Sequence, residues 1–326
     1  MARVVVTDNR FESLDVERSI LEPFDCQVIA EQCTTEDALI SALKDAEYVI
    51  TQFSPLTAKV IDTLSKCRQI VRYGVGVDNI DLEAASRKGI PVCNVPDYCM
   101  DEVADHALGL ILALTRQIVS VSNHVREGFW KLPGRLDQMR VLKEMTCGIV
   151  GFGRIGREVA GRLKPFKCRI VVFDPIVPAA EIDGADYIAA DLDAVLRASD
   201  LLTLHCPSTS QTRRMIHSKS LAVMKPGALF VNVARGDLVR TDDLVEALRS
   251  GHIGGAALDV ADPEPLPQQH PLLQMKNVLV TNHVAAASVT AIHTLRTKVA
   301  RAVLCAIRGE PLPNVVNDVA SDRLRR

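Results

Sequence analysis

No two cysteines in this 326-residue chain stand at CxxC spacing, so a zinc ribbon or a dithiol redox site has no footing in it. The nine cysteines are odd in number and scattered, and several, such as Cys147, Cys168 and Cys206, lie inside apolar runs. They read as small buried hydrophobes in a reducing compartment, and no metal site is expected. Long apolar stretches are missing as well. The longest, Ala107 to Leu114, falls far short of the roughly 20 residues that span a bilayer. The N-terminus opens on a strand-like run, Val4 to Thr7, without the apolar core of a signal peptide. The expectation is a cytoplasmic protein with no membrane partner. Charge is not concentrated either: a formal net charge of -2 with interspersed signs gives no basic stripe, so nucleic acid is not an expected ligand. Collagen-like and disordered biases are absent, and the length suffices for two domains burying about three quarters of their unfolded surface.

What is present centres on Thr146 to Pro175, TCGIVGFGRIGREVAGRLKPFKCRIVVFDP. An apolar run leads into Gly151-Phe152-Gly153-Arg154-Ile155-Gly156, a helical segment follows, and a second run from Ile170 to Phe173 ends in Asp174. The pattern predicts a strand, a tight turn, a helix and a strand. Gly151 allows the sharp turn, Gly153 lets backbone approach a pyrophosphate, and Gly156 lets the helix pack closely on the strand. The pyrophosphate would lie on the positive end of that helix. Asp174, eighteen positions after Gly156, suits a ribose 2′-hydroxyl and repels a 2′-phosphate. The cofactor expected is therefore NAD.

From residue 3 to about 98, short apolar runs alternate with helical patterns: Val4–Thr7, Gln27–Ala30, Tyr48–Thr51, Ile70–Tyr73 and Pro91–Asn94 read as strands of a mostly parallel sheet. Asp81 is an expected N-cap and Gly89 an expected C′ residue. Gly74-Val75-Gly76-Val77-Asp78 follows a strand and would bare N–H groups to a small anion, or else forms a plain tight turn. Asp101 to Val119 is apolar on nearly every side and is expected as a buried inter-domain hinge helix. Residues 120 to 145 are polar and carry the single tryptophan, Trp130, on an arm that packs either on a second subunit or back on its own domain.

Beyond the glycine turn, Tyr187–Ala189, Leu201–Leu204, Ala228–Asn232, Gly255–Asp259 and Val278–Thr281 read as further strands, with capped helices at Ser218 and Thr241. With the two before them they make about seven, a complete dinucleotide domain. A last helix from about Ser288 to Arg308 and a final strand within PLPNVVN return to the first domain, and the charged SDRLRR is expected to fray. The fold class is α/β with two doubly wound parallel sheets: a Rossmann NAD domain, 99–290, inserted in a discontinuous flavodoxin-like substrate domain, 1–98 and 291–326.

Ligands of open α/β sheets bind beyond the carboxyl ends of strands. Three ionisable residues stand there on consecutive strands: Arg235, Glu264 and His283. Arginine can clamp a carboxylate bidentately, histidine can exchange a hydroxyl proton near working pH, and a neighbouring carboxylate orients the imidazole. Those are the needs of hydride transfer between a 2-hydroxy acid and a nicotinamide.

The stretches RYGVGVDNIDLEAA, NVPDYCMDEVADHALGLIL, GIVGFGRIGREV, LHCPSTSQTR, MKPGALFVNVARGDLV, GGAALDVADPEPLP and NHVAA resemble the D-isomer-specific 2-hydroxyacid dehydrogenases over almost the full length. That group includes phosphoglycerate dehydrogenase, hydroxypyruvate/glyoxylate reductase and the C-terminal-binding-protein corepressors. The resemblance implies that Arg235 binds the substrate carboxylate and carbonyl, that His283 exchanges the proton and that Glu264 pairs with it. It implies that Val75 and Gly76 bond the carboxylate through their N–H groups, and it leaves Arg72 near a substrate phosphate. For the cofactor it implies Gly151, Gly153, Arg154, Ile155 and Gly156 at the pyrophosphate and Asp174 at the ribose. His205, Cys206, Pro207 and Thr212 would line the cleft, and Val233, Ala234, Asp259, His283, Ala285 and Ala286 would stand towards the nicotinamide. It implies a homodimer joined through the NAD domains. This chain departs from the pattern with Asn282 where many members have proline and with Ala286 where the corepressor branch has tryptophan. Candidate substrates are 3-phosphoglycerate, glycerate/hydroxypyruvate and glyoxylate. The alternative is an NADH-sensing, corepressor-like interaction protein with the same fold.

Overall fold

The computed structural model describes residues 1–132, 134, 136–184 and 187–319. They divide into two compact units, one from Met1–Tyr98 with the described chain from Ser288 on, the other from Cys99–Ala287.

The first unit carries β1 (Ala2–Val6), β2 (Cys26–Ala30), β3 (Tyr48–Thr51), β4 (Gln69–Arg72) and β5 (Val92–Cys93). They form one parallel sheet in the order β2-β1-β3-β4-β5, the flavodoxin-like winding. Its strands read as continuous apolar runs because both faces are covered, and the side-chain period of two splits each run. Val4, Val6, Tyr48, Ile50 and Val71 pack with Leu295, Val299 and Val303 of the helix Val289–Arg308. Val5, Val49, Ile70 and Val92 pack on the other side with Leu39, Leu43, Val60 and Ile61. The last helix thus closes one face of the sheet that the first strand opens.

The second unit carries β6 (Thr146–Val150), β7 (Arg169–Phe173), β8 (Ile188–Ala189), β9 (Leu201–Leu204), β10 (Ala228–Asn232), β11 (Ile253–Leu258) and β12 (Val278–Val280). Their order, β12-β11-β10-β9-β6-β7-β8, is all parallel and reverses between β6 and β9. That reversal is the switch point at which a crevice opens beyond the strand ends, and the glycine turn leaves β6 there.

Several expectations are corrected. The helix expected over 101–119 spans Met100–Thr115, and Arg116 and Gln117 separate it from a second helix, Ile118–Arg126. Thr115 Oγ1 bonds back to the Ile111 carbonyl at 2.9 Å, and Gln117 takes a left-handed φ of 50°, which no helix can continue through. The first helix is not buried all round: Val103, Ala104, Ala107, Leu110 and Ile111 form one buried face. The final strand is reduced to an isolated bridge between Cys93 and Val315, since Pro311 and Pro313 lack the N–H groups a ladder needs. The helix at Ser218 is capped by the His217 side chain. At Thr241 no side chain caps the helix, and the hydroxyl bonds the Asp262 carbonyl at 2.6 Å instead. Asp81 caps its helix through the Ala84 N–H at 2.8 Å, and Gly89 and Gly309 take the left-handed conformations of helix ends. The SDRLRR segment lies outside the described residues.

Candidate active site

The glycine turn is shaped by close approach. Gly151 has φ +94°, and a Cβ there would stand 2.6 Å from the Cys206 nitrogen and 2.7 Å from the His205 carbonyl carbon. A Cβ on Gly156 would collide with the Gly151 carbonyl oxygen, so the helix Arg154–Leu163 can pack this tightly only with glycine. Gly153 differs: a Cβ there meets nothing within 4 Å, and no side chain caps the helix it precedes. The uncapped N–H groups from Arg154 and Ile155 onward therefore face open space with the positive end of the helix dipole, which fits a pyrophosphate.

Asp174 ends β7 beside this turn. Its Oδ2 accepts from Phe152 N–H at 2.7 Å, and its Oδ1 accepts from Ile176 and Val177 N–H at 2.8 and 3.0 Å. Partial burial opposes the charge, but these three donors and nearby Arg157 hold the carboxyl below its ordinary range. A carboxylate has about four acceptor positions, so one remains for a hydroxyl donor. Beyond β9, His205 N–H bonds the Val150 carbonyl at 2.7 Å, tying the two strands at the switch point. Desolvation pushes the His205 imidazole down to about 3 and the Cys206 thiol up to about 11, so both are neutral at working pH. Thr212 Oγ1 donates to the Pro207 carbonyl at 2.6 Å and closes the loop after them.

Arg235, Glu264 and His283 come together at the ends of β10, β11 and β12. Asn232, the last residue of β10, accepts from Ala234 N–H at 3.0 Å and donates to the Arg235 carbonyl at 2.8 Å, so one buried amide folds the Val233–Arg235 turn. The next residue, Gly236, lies so close to the Ala261 carbonyl that a Cβ would overlap it. This contact sets the arginine turn against the loop that carries Glu264. Glu264 Oε1 meets His283 Nδ1 at 2.7 Å, and Oε2 accepts from Ala261 N–H at 3.4 Å. Burial raises the Glu264 pKa, but the His283 bond and charge, the Ala261 N–H and the Arg235 guanidinium outweigh it and hold the carboxyl below its ordinary value. The electrostatics thus register all three side chains in one place.

The loop bearing His283 is anchored on Asp259, which is 1 % exposed. The Asp259 carbonyl accepts from His283 N–H at 2.8 Å. Its carboxylate accepts from Thr281 Oγ1 at 2.6 Å and from the N–H groups of Val284 and Ala285 at 3.0 and 2.9 Å. These bonds sustain a left-handed φ of 58° at His283, a conformation that costs a non-glycine residue about 1 kcal/mol. Ala286 follows on the same loop, half-buried. Sequence reasoning placed Asp259 near the nicotinamide but missed its part as the loop's anchor, and missed Asn232 and Thr281. The signal was a polar residue closing an apolar strand, as Asn232 and Asp259 both do.

In the first unit, Arg72 ends β4 with its guanidinium folded over Gly74, and Asn94 Nδ2 donates to the Val75 carbonyl at 2.6 Å. Among the described residues no hydrogen bond takes up the N–H groups of Val75 and Gly76. The loop then offers two donors to an anion. Among the described residues, no cluster of His, Cys, Asp and Glu could hold a metal, and no helix is long and apolar enough to cross a membrane.

A family model described as the D-isomer specific 2-hydroxyacid dehydrogenase NAD binding domain matches residues 108–285. A D-3-phosphoglycerate dehydrogenase of Methanocaldococcus jannaschii is 38 % identical over 97 % of this chain, which spans 60 % of that protein's length. A glyoxylate reductase of Pyrococcus furiosus is 38 % identical over 91 % of this chain and 90 % of its own. Among solved structures, a D-lactate dehydrogenase of Aquifex aeolicus, complexed with NAD and lactic acid, superposes with a TM-score of 0.85 at 26 % identity, covering 94 % of this chain and 96 % of its own.

Proposed function

The chain belongs to the D-isomer-specific 2-hydroxyacid dehydrogenases, with residues 108–285 as the family's NAD-binding domain, and from that premise we propose that it interconverts a small D-2-hydroxy acid and its 2-oxo acid. The observation that carries the reading is the 2.7 Å His283–Glu264 pair within the field of Arg235, on neighbouring strand ends of the NAD-binding sheet. A bound nicotinamide would supply the two-electron chemistry. Arg235 holds the substrate carboxylate and polarises its carbonyl oxygen. Glu264 engages His283 Nδ1, which leaves Nε2 as the atom that gives its proton to the developing alkoxide in reduction and takes it back in oxidation. The positive charge of the imidazolium is then gained and lost beside a fixed carboxylate. The N–H groups of Val75 and Gly76 receive the substrate carboxylate, and Arg72 stands for a phosphate on a larger substrate. Gly151, Gly153, Arg154, Ile155 and Gly156 take the pyrophosphate and Asp174 the ribose. His205, Cys206, Pro207, Thr212, Val233, Ala234, Asp259, Ala285 and Ala286 complete the cofactor's surroundings. Residues 1–98 and 291–326 serve as the substrate domain and 99–290 as the NAD domain, with the helix Met100–Thr115 between the roles. The protein works as a homodimer through the NAD domain in the cytoplasm, where nine free thiols persist.

The substrates proposed are glyoxylate, hydroxypyruvate and 3-phosphohydroxypyruvate, in line with the names of the relatives. Purified chain with NADH should consume at least one of these or pyruvate, and His283→Ala should lower kcat by roughly 10²-fold or more. Equal rates in variant and parent reject the assignment of His283, and no oxidation of NADH by any of the four acids rejects the activity.

A further inference from the structure

His106, in the NAD-binding unit, has no part in the reading above. It lies in the middle of the helix Met100–Thr115, and its Nε2 stands 3.1 Å from Thr281 Oγ1 and 3.5 Å from Asp259 Oδ1. The direction of these bonds follows from proton count. Thr281 has a single hydroxyl proton, and the Asp259 carboxylate, 2.6 Å away, can only accept it. His106 Nε2 must therefore be the donor to the threonine oxygen, with the Asp259 carboxylate 3.5 Å away. Asp259 in turn accepts from Val284 and Ala285 N–H, and its carbonyl accepts from His283 N–H. The chain of bonds His106–Thr281–Asp259 ends on both sides of the proton-exchanging imidazole.

The helix that carries His106 is itself pinned. Arg162, on the glycine-turn helix Arg154–Leu163, bonds Asp101 through Nη2 at 2.5 Å and Asp105 through Nε at 2.6 Å, the latter one residue before His106. The helix Met100–Thr115 is thus held on one side by Arg162 of the helix Arg154–Leu163 and on the other reaches the loop of His283 through His106. We infer that His106 is a positioning residue: by donating to Thr281, whose hydroxyl is bonded to Asp259, it fixes the loop that presents His283. This rests on the reading of His283 as the proton-exchanging group. A loop held in a left-handed conformation at His283 needs such over-determination, since a relaxed backbone would turn the ring away.

The test compares His106→Leu, which removes the donor, with His106→Gln, which returns an N–H donor, in the full chain. The leucine variant should lose roughly tenfold in kcat, about 1.4 kcal/mol. Its KM for the 2-oxo acid and its dissociation constant for NADH should stay within about twofold of the parent, because uniform binding is untouched. The glutamine variant should recover most of the loss. Amide hydrogen exchange over residues 281–287 supplies a readout that needs no turnover: faster in the leucine variant, parent-like in the glutamine variant. Parent-like exchange in the leucine variant, or a glutamine variant as damaged as leucine in both readouts, overturns the inference. A parent that binds NADH yet reduces none of the acids sinks the proposed activity instead, and the exchange comparison still decides what His106 does.

Discussion

At the scale of single residues the decisive object is the Glu264 carboxylate, which is held ionised against partial burial by His283 and Arg235. Its folded pKa lies below the ordinary 4.5, so its pairing contributes stability that is fully present above that value and is lost as pH falls through the lowered one. The side chain is 38 % exposed, so solvent screening keeps that contribution below about 1 kcal/mol. Glu264→Gln should therefore differ little from the parent in urea unfolding at neutral pH, and the small difference should vanish under acid. Catalysis should respond far more. A neutral amide can offer His283 Nδ1 either an oxygen or an N–H and no longer fixes the tautomer, so kcat should fall roughly 10²-fold while KM changes less. A variant with parental kcat would show that the pair orients nothing. That Arg235, Glu264 and His283 come together was legible in the sequence not from any one of them, each of which has commoner structural uses, but from their order after consecutive apolar strands of one sheet. The anchoring by Asp259 was not, since which N–H groups a buried carboxylate collects depends on loop closure in three dimensions.

At the scale of elements, the strand–turn–helix of residues 146–163 separates what glycine does for the fold from what it does for a ligand. Gly151 and Gly156 are each hemmed in by backbone, whereas Gly153 has open space around it. Gly153→Ala should thus leave the melting temperature within about 2 °C of the parent, because its φ of -72° suits alanine and nothing is struck. The same methyl stands where the turn must admit a pyrophosphate, so NADH affinity, read by fluorescence titration, should weaken roughly tenfold or more. Unchanged affinity would mean that the open space at Gly153 is not the cofactor's. The glycine turn and most strands were readable because buried parallel strands are unbroken apolar runs. Two elements were misread for local reasons: Thr115 and Gln117 stop a helix whose apolar pattern continues to Val119, and Pro311 and Pro313 deny a ladder to a segment whose Val315 and Val316 look like strand.

At the scale of the whole molecule, the discontinuity of the first unit was readable because a long helix follows the last strand of the second. Its closure rests on a contact no pattern reveals: Arg296 of the last helix bonds fully buried Glu17 at 2.7 and 2.9 Å, and Tyr73 donates to the same carboxylate at 2.9 Å. Among the described residues of the segment 120–145 and the helix before it, several large apolar side chains are left uncovered in the second unit. Trp130 is 91 % exposed, Leu136 78 % and Ile118 54 %. Beside the arm lies a groove of about 1150 Å³ lined by Leu114, Gln117, Val119, Asn123, Gly255 and Leu279. Apolar surface of this kind is what a second copy could cover, and in the proposed homodimer a two-fold axis would lay the arm of each copy on the groove of the other. A stable dimer needs roughly 800 Å² per partner, of which one tryptophan supplies about 150–250 Å². The parent should then sediment at twice its 35.6 kDa chain mass at micromolar concentration. Trp130→Asp with Leu136→Asp should sediment at the chain mass, since charges placed in the covered area cannot be desolvated without a partner. NADH binding should survive in that variant, because the glycine turn and Asp174 lie beyond the carboxyl ends of β6 and β7, whereas the groove lies at the amino ends of β10, β11 and β12. A parent that sediments at the single-chain mass would reject the dimer.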